Sequence, residues 1–485
     1  MGEYWERAPG DGLGTQRIGP DRPTGEHRRN EGDRMSAPIG TEGVHALLVT
    51  HVDNAGVSRV KVLPGRRIDT AAESGVSISN SVGMLFSVDD HLNSTPEIDA
   101  IVGDLRGIPD MTALAMLDAE TGLAWAPADL RALDGSEHPT CQRTALKRVV
   151  SAAEDDGLAF RIGFELEFTV FRDPGEAGDA ALDVPEYAND GPAYSTRAFL
   201  DLEPWLLATM AALDAAGVPV EQVHPEFGDG QVEIALAPRE PLRAVDELVL
   251  ARVVILRTAR QHGLLVSFAP VPIAGGPSSG CHVHLSAAHE GRALCFDAVA
   301  PHGFTPEAGM MIAGILDRLE EGLALHGGSV LSFDRLQPNH WAGAYRCWGP
   351  ANREAAIRMV EGQAGREPAQ ANLEFKCTDA AANPYLSVAA LLASALDGIA
   401  RRAEPPEPVL VDPSTLSDEE RDERGIVRLP ADLGAALDLL EGSTFFHDVF
   451  GTTLLDAYVA SRRHEWEAYG GLDTAAVAEI VRWRY

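Results

Sequence analysis

The stretch Arg161-Ile162-Gly163-Phe164-Glu165-Leu166-Glu167-Phe168, continued by Thr169-Val170-Phe171, alternates large apolar residues with acidic or small ones. The period of two and the aromatic and β-branched content predict a strand. Phe164, Leu166 and Phe168 share one face of it, and Glu165 and Glu167 share the other. Two carboxylates side by side repel each other unless water or a cation lies between them. An isolated Glu-x-Glu is more often a solvated strand face, so its meaning depends on what else the chain supplies.

Three later stretches supply more of the same chemistry. His224-Pro225-Glu226 precedes Gln231-Val232-Glu233-Ile234 across a Gly228-Asp229-Gly230 turn. Ser279-Gly280-Cys281-His282-Val283-His284-Leu285-Ser286 puts two histidines on one strand face, and Asn372-Leu373-Glu374-Phe375-Lys376 runs ahead of Asn383-Pro384-Tyr385. Five glutamates and a histidine on short apolar strands, with no thiolate cluster, suit Mg²⁺ or Mn²⁺ better than structural Zn²⁺.

The order of these motifs resembles the catalytic domain of the glutamine synthetase family. Glu-x-Glu is followed by His-x-Glu with Gln-x-Glu, Gly-x-His-x-His, Arg-Leu-x-Pro at Arg335, Asn-Arg-x-x-x-Ile-Arg at Asn352, and Glu-x-basic at Glu374. The resemblance covers roughly residues 140 to 485. It implies a ligase that makes an acyl phosphate from ATP and the γ-carboxyl of glutamate, which an amine then attacks. Phosphoryl transfer of this kind rests on charge neutralisation and positioning. No Gly-x-x-x-x-Gly-Lys-Ser/Thr is present, so a P-loop is excluded.

Carried over by motif, Glu167, Glu226 and Glu233 would hold a metal near the amino-acid substrate. Glu165, His282 and Glu374 would hold one that bridges the ATP phosphates, with His284 and Ser286 along the nucleotide. Arg335 would meet the substrate carboxylate, and Arg353 and Arg358 would face the transferring phosphate and the nucleotide. Tyr194, in Gly191-Pro192-Ala193-Tyr194, resembles the tyrosine that lines the family's ammonium pocket.

The departures from the family pattern fall on one side of the site. Where ammonia-using members carry Pro-Gly-Tyr-Glu, this chain has Pro338-Asn339-His340-Trp341, so a tryptophan replaces the flap glutamate that accepts the ammonium proton. Pro277-Ser278 stands for the Asn-Gly that greets the amino-acid backbone, and Lys376 for an arginine, an unequal exchange at a bidentate contact. Ser79-Asn80-Ser81-Val82-Gly83 occupies the place of the segment that lends an aspartate to the neighbouring subunit, and it has no acid. The metals and phosphate handling look retained while the ammonium pocket does not. The favoured reading is therefore coupling of glutamate to an organic amine. An ordinary glutamate–ammonia ligase and a non-catalytic nucleotide- or metal-binding relative are the rivals.

The resemblance implies an α+β fold. A small N-terminal β-grasp-like domain precedes a large C-terminal catalytic domain with a curved antiparallel sheet backed by helices. The expected boundaries are 1–34 for a polar tail or mis-assigned start, 35–138 for the first domain and 139–485 for the second. Two strands joined at Asp53-Asn54-Ala55-Gly56, a helix from Cys141, helices at Leu200–Ala216, Pro241–Gly263 and Ala431–Leu440, and a surface excursion over 404–424 complete the expectation. The formal charge is −33, and the first 34 residues hold six Arg against seven Asp and Glu, so the folded body is strongly acidic. That argues against nucleic acid and anionic membrane as partners and for small-molecule substrates. No run approaches the ~18 apolar residues of a membrane span, and five cysteines without CxxC spacing suit reduced thiols in a cytoplasm. Family sites form between adjacent subunits, so a ring-shaped homo-oligomer is implied by the resemblance.

Overall fold

A computed structural model describes residues 40–99, 101–175 and 185–485. The expected 1–34 tail lies outside the described residues. Two sheets organise the chain. The first takes β1 (Ala46–Val52), β2 (Ser58–Pro64), β3 (Val76–Ser79), β4 (Asp104–Pro109), β5 (Ala115–Asp118) and β6 (Leu123–Arg131), with α1 (Ile68–Ser74) between β2 and β3. Its order is β2-β1-β6-β4-β3, with β5 against β6. β1 and β2 form the expected hairpin, and β6 lies parallel to β1. This is a small, sheet-rich, β-grasp-like body.

The second sheet has ten strands. After α2 (Gln142–Asp155) come β7 (Leu158–Arg172), α3 (Thr196–Ala215), β8 (Val220–Pro225), β9 (Gln231–Arg239), α4 (Pro241–Gln261), β10 (Leu264–Ser267), β11 (Cys281–His289) and β12 (Arg292–Ala293). Helices α5 (Pro306–His326) and α6 (Val330–Arg335) lead to β13 (Tyr345–Pro350), β14 (Ala355–Val360), α7 (Glu367–Gln370), β15 (Asn372–Phe375) and α8 (Pro384–Arg401). The order β16-β13-β14-β15-β11-β7-β9-β8, with β16 at Val427–Arg428, is antiparallel except for the parallel pair β13–β14. Phe164, Leu166, Phe168 and Val170 are buried against the helices, so the alternation seen in the sequence is the alternation of the sheet's two faces.

Several element ends differ from expectation for local reasons. α3 begins four residues early because Ser195 caps it, its hydroxyl accepting from the Ala198 N–H at 3.1 Å. The late helix spans Leu433–Glu441 because Asp432, not Ala431, provides the cap. The 404–424 excursion is pinned to the body: Trp348 Nε1 donates to the Pro406 carbonyl at 2.7 Å, and Val409 is 3% exposed.

The two sheets are locked together by buried polar groups. Arg143 on α2 pairs with Asp246 of α4, Asp129 of β6 and Asp110, at 2.7 to 2.8 Å, and Tyr385 donates to Asp246 at 2.7 Å. The β1–β2 turn lies against the start of α8, where Asn383 Nδ2 donates to the carbonyls of Val52 and Asp53. Gly56 there has φ +75°, and a Cβ on it would come within 2.3 Å of the Ala381 carbonyl oxygen, so only glycine fits this contact. Among the described residues no helix is long and apolar enough to cross a membrane. The five cysteines are free and buried.

Candidate active site

Strand register builds the site. On β7, Glu165 lies opposite His282 of β11 and Glu167 opposite Glu233 of β9. His284 lies opposite Glu374 of β15, and Glu374 opposite Arg358 of β14. His224 of β8 lies opposite Glu233. Directly paired residues of antiparallel strands have their Cβ atoms about 5 Å apart, so the register alone lays acidic and imidazole groups across one sheet face. Like charges placed opposite one another, as at Glu167 and Glu233, are destabilising without a cation.

Two groups of three ligand atoms result, each within 4.8 Å of one another: Glu165, His284 and Glu374, and His224, Glu226 and Glu233. The sequence resemblance gives the first group His282 and the second Glu167. Both residues are present but lie between the groups. His282 Nδ1 is 3.3 Å from Glu165 and 3.4 Å from Glu374, and its Nε2 is 3.6 Å from Glu167. Glu167 Oε2 is engaged by the Gly280 N–H at 2.9 Å and Gln231 Nε2 at 3.1 Å. His224 was not among the expected ligands. Its signal was the alternation that places it one residue from the edge of β8, in the same motif that yielded Glu226.

The electrostatics fit a cation. Burial, opposed by Arg335 and reinforced by Glu233 and Glu226, pushes the Glu167 carboxyl up to about 7. The hydrogen bond His224 donates to Glu233 raises its pKa to about 9. Burial holds His282 down at about 4, which keeps its ring neutral and able to ligate. Burial disfavours a charged His284, but the hydrogen bond and charge of Glu165 outweigh it and raise its pKa. With His284 Nδ1 2.8 Å from Asn372 Oδ1, the Nε2 directed at Glu165 is left needing either a proton or a metal.

The cationic side is equally buried. Arg335 closes α6 at 2% exposure; its Nη2 donates to the Lys376 carbonyl at 2.8 Å, and its Nη1 is buried without a partner. Gly280 makes this approach possible, since a Cβ there would stand 2.6 Å from Arg335 Nη2 and 2.8 Å from His282 Nε2. Lys376 is buried with its Nζ 3.1 Å from Glu374, and Arg358 contacts the same carboxylate. Arg353 is exposed at the cavity wall. Ser286 lies on the face of His282 and His284, opposite Arg161 and farther along β11.

These groups surround a cavity of about 380 Å³, within the range of small-molecule sites. Its mouth is aromatic: Tyr194 and Trp341 are each 50% exposed and Phe227 is 72% exposed. The Tyr194 hydroxyl and the Phe227 N–H both donate to Glu226 Oε2, at 2.7 and 2.9 Å. Tyr194, Asn339 and Trp341 all have left-handed backbones, with φ of 56°, 64° and 53°. Such strain in non-glycine residues persists only where neighbours hold it. At the 338–341 loop the holder is Glu354, whose carboxylate accepts from the N–H groups of Asn339 at 3.2 Å and Trp341 at 2.9 Å. Glu354 escaped notice in the sequence because it lies between the two arginines that drew attention.

The family profile described as "Glutamine synthetase, catalytic domain" matches residues 139–480. The chain is 40% identical over 452 residues to the gamma-glutamylpolyamine synthetase GlnA3 of Streptomyces coelicolor, covering 93% of this chain and 96% of that protein. It is 29% identical over 424 residues to a glutamine synthetase of Methanosarcina mazei, covering 86% and 90%. A crystal structure of a novel glutamine synthase homolog superposes with a TM-score of 0.80 at 30% identity, covering 91% of this chain and 99% of that one. The ADP complex of GmaS superposes with a TM-score of 0.75 at 26% identity, covering 89% and 95%. Its ordered motifs, its sheet register and these matches make the chain a member of the glutamine synthetase family.

Proposed function

We propose that this ATP-dependent ligase activates the γ-carboxylate of glutamate as an acyl phosphate and joins it to an organic amine, with polyamines as the leading class. One observation carries the amine assignment. Trp341, Tyr194 and Phe227 form an exposed aromatic rim around Glu226, at the side where an ammonia-using site needs a flap carboxylate. Aromatic faces attract organic cations and give their methylene chains an apolar wall. The −33 formal charge draws polycations toward such a mouth. A relative at 40% identity is named for a polyamine substrate.

In this reading a phosphoryl group passes from ATP to a carboxylate oxygen. The amine lone pair then attacks the acyl carbon, phosphate departs, and the amine gives up a proton. Glu226, held by Tyr194 and the Phe227 amide, positions the amine's charge. The unpartnered Nη1 of Arg335 binds the substrate carboxylate, and Lys376 and Arg353 present positive charge to the phosphate. Arg358, beside Glu374, would face the nucleotide together with His284 and Ser286. Glu226, Glu233, His224 and Glu167 would hold one Mg²⁺ or Mn²⁺ and Glu165, Glu374, His282 and His284 a second, supplying neutralisation of phosphate charge. Residues 35–138 and 139–485 are the two domains of this enzyme, and copies assemble in a cytoplasmic ring, for which light scattering is the test.

The deciding assay is phosphate release with ATP, Mg²⁺ and glutamate across ammonium, ethanolamine, alkyl monoamines, diamines and polyamines. Preference for an organic amine is expected. Preference for ammonium would make the chain a glutamate–ammonia ligase. Silence with every amine beside measurable ATP binding would make it a non-catalytic relative.

A further inference from the structure

A second cavity, of about 540 Å³, lies on the helix side of the large sheet, away from the carboxylate face. One face of α4 walls it, with Arg252, Leu256 and Arg260 in line, and Val266 of β10 and Trp483 stand opposite. Arg252 is 8% exposed, with its guanidinium 4.9 Å from the centroid of the Phe268 ring. The other deeply buried arginines each have at least one acceptor. Arg143 has its three aspartates, Arg462 has Glu465 at 3.0 Å, and Arg335 has the Lys376 carbonyl. Arg252 is different: among the described residues no carboxylate lies within ion-pair distance of it and no acceptor takes its hydrogen bonds. Burial lowers its pKa, yet a guanidinium stays charged in any protein. A charge largely withdrawn from water and without a counter-ion is costly, and a π face offsets only part of that cost.

We propose that this cavity is an anion-binding site separate from the catalytic one, which takes a small organic dianion with carboxylate or phosphate ends. One negative end pairs with Arg252 at the closed end of the cavity. Arg260, two turns along α4 and about 12 Å away on the helix axis, meets the other at the mouth. Arg484 at the rim is already paired with Asp90 at 2.9 Å, whereas Arg260 has no ion-pair partner among the described residues. Asp173, which also lines the cavity, sets a limit on how much negative charge the mouth accepts. The apolar stretch between, Leu256 and Val266, fits a short carbon chain. An occupant touches α4, which carries Asp246 to Arg143, and β10, which pairs with β7 below Glu165 and Glu167. The site is therefore joined by packed elements to the metal-ligand strand.

The test is calorimetric titration of the full-length protein with succinate and, separately, with inorganic phosphate. Wild type, Arg252→Met, Arg260→Gln and Leu256→Trp are compared, with ADP binding as the control for an intact catalytic site. Wild type is expected to bind at least one probe, and Arg252→Met to bind it at least tenfold more weakly with ADP affinity unchanged. Arg260→Gln should weaken succinate more than phosphate, because only the longer anion reaches both cations. If succinate alone binds, the ligand is a dicarboxylate; if phosphate alone binds, it is a phosphate ester. Should Arg252→Met fail to fold, Leu256→Trp, which fills the cavity from a partly exposed position, must abolish binding by itself. Absence of binding by either probe, or unaltered binding in Arg252→Met or Leu256→Trp, overturns the proposal.

Discussion

Removing the Glu354 carboxylate tests whether the aromatic rim is held in place or merely drawn there. Its two oxygens accept the N–H groups of Asn339 and Trp341, at 3.2 and 2.9 Å, and the residue is 6% exposed. Hydrogen bonds to a charged acceptor contribute about 1.5–3 kcal/mol each. Against them stand two left-handed non-glycine residues, Asn339 and Trp341, at a cost on the order of 1 kcal/mol each. The carboxylate therefore holds the loop by a margin of roughly 1–4 kcal/mol, and its loss lets the strain relax and Trp341 leave the mouth. At 1.4 kcal/mol per factor of ten, Glu354→Ala should lower kcat/KM for the preferred amine by about 5- to 700-fold. The loss should fall mainly on the amine KM, with ADP affinity retained, because the loop faces the amine side. Glu354→Gln keeps one neutral acceptor and should fall between wild type and alanine. Steady-state kinetics with the amine varied at saturating ATP and glutamate measure this. An alanine variant within a factor of three of wild type would refute the clamp.

Other perturbations address the rest of the site. Trp341→Glu should raise the rate with ammonium relative to organic amines, since one general base is typically worth ~10²–10⁴-fold; an unchanged amine ratio in the assay panel counts against the rim. Glu167→Ala and Glu233→Ala should abolish turnover and weaken Mn²⁺ binding in titrations, and His224→Ala should weaken Mn²⁺ binding as well, whereas His282→Ala should chiefly affect metal that arrives with nucleotide. Gly280→Ala should cost more activity than stability, because its Cβ meets Arg335 and His282 rather than the core. For pH, burial holds His326 down at about 3 against about 6.5 unfolded, so its contribution is full above pH 6.5 and is lost as pH falls. The stability advantage of wild type over His326→Gln should therefore shrink by roughly 2 kcal/mol between pH 6.5 and 5, read from urea midpoints; a constant or growing advantage contradicts a neutral buried ring.

The sequence made one dimension of the site readable and hid the other. Along a strand, the period of two puts Glu165 with Glu167, and His282 with His284, on one face whatever the tertiary structure. Order along the chain then identified the family and, with it, an expected grouping of the carboxylates. Across strands nothing local fixes the register, and there the groupings depart from those carried over by motif. Glu374 meets His284 because β15 pairs with β11 in that register, and His224 joins Glu226 and Glu233 because β8 pairs with β9. A slip of one residue would have sent every one of these groups to the helix side. Glu354 and Arg252 were illegible for a related reason. Their significance lies in what surrounds them, two amide groups in one case and the want of a counter-ion in the other, and both are set by segments far away in the chain. Residues that belong to a family motif can thus be read from sequence, whereas a residue that holds a loop in strain or is buried without a counter-ion becomes visible only when burial is known. Trp341 belongs to both kinds: its identity was legible as a break in the family pattern, and its placement depends on a carboxylate thirteen residues away.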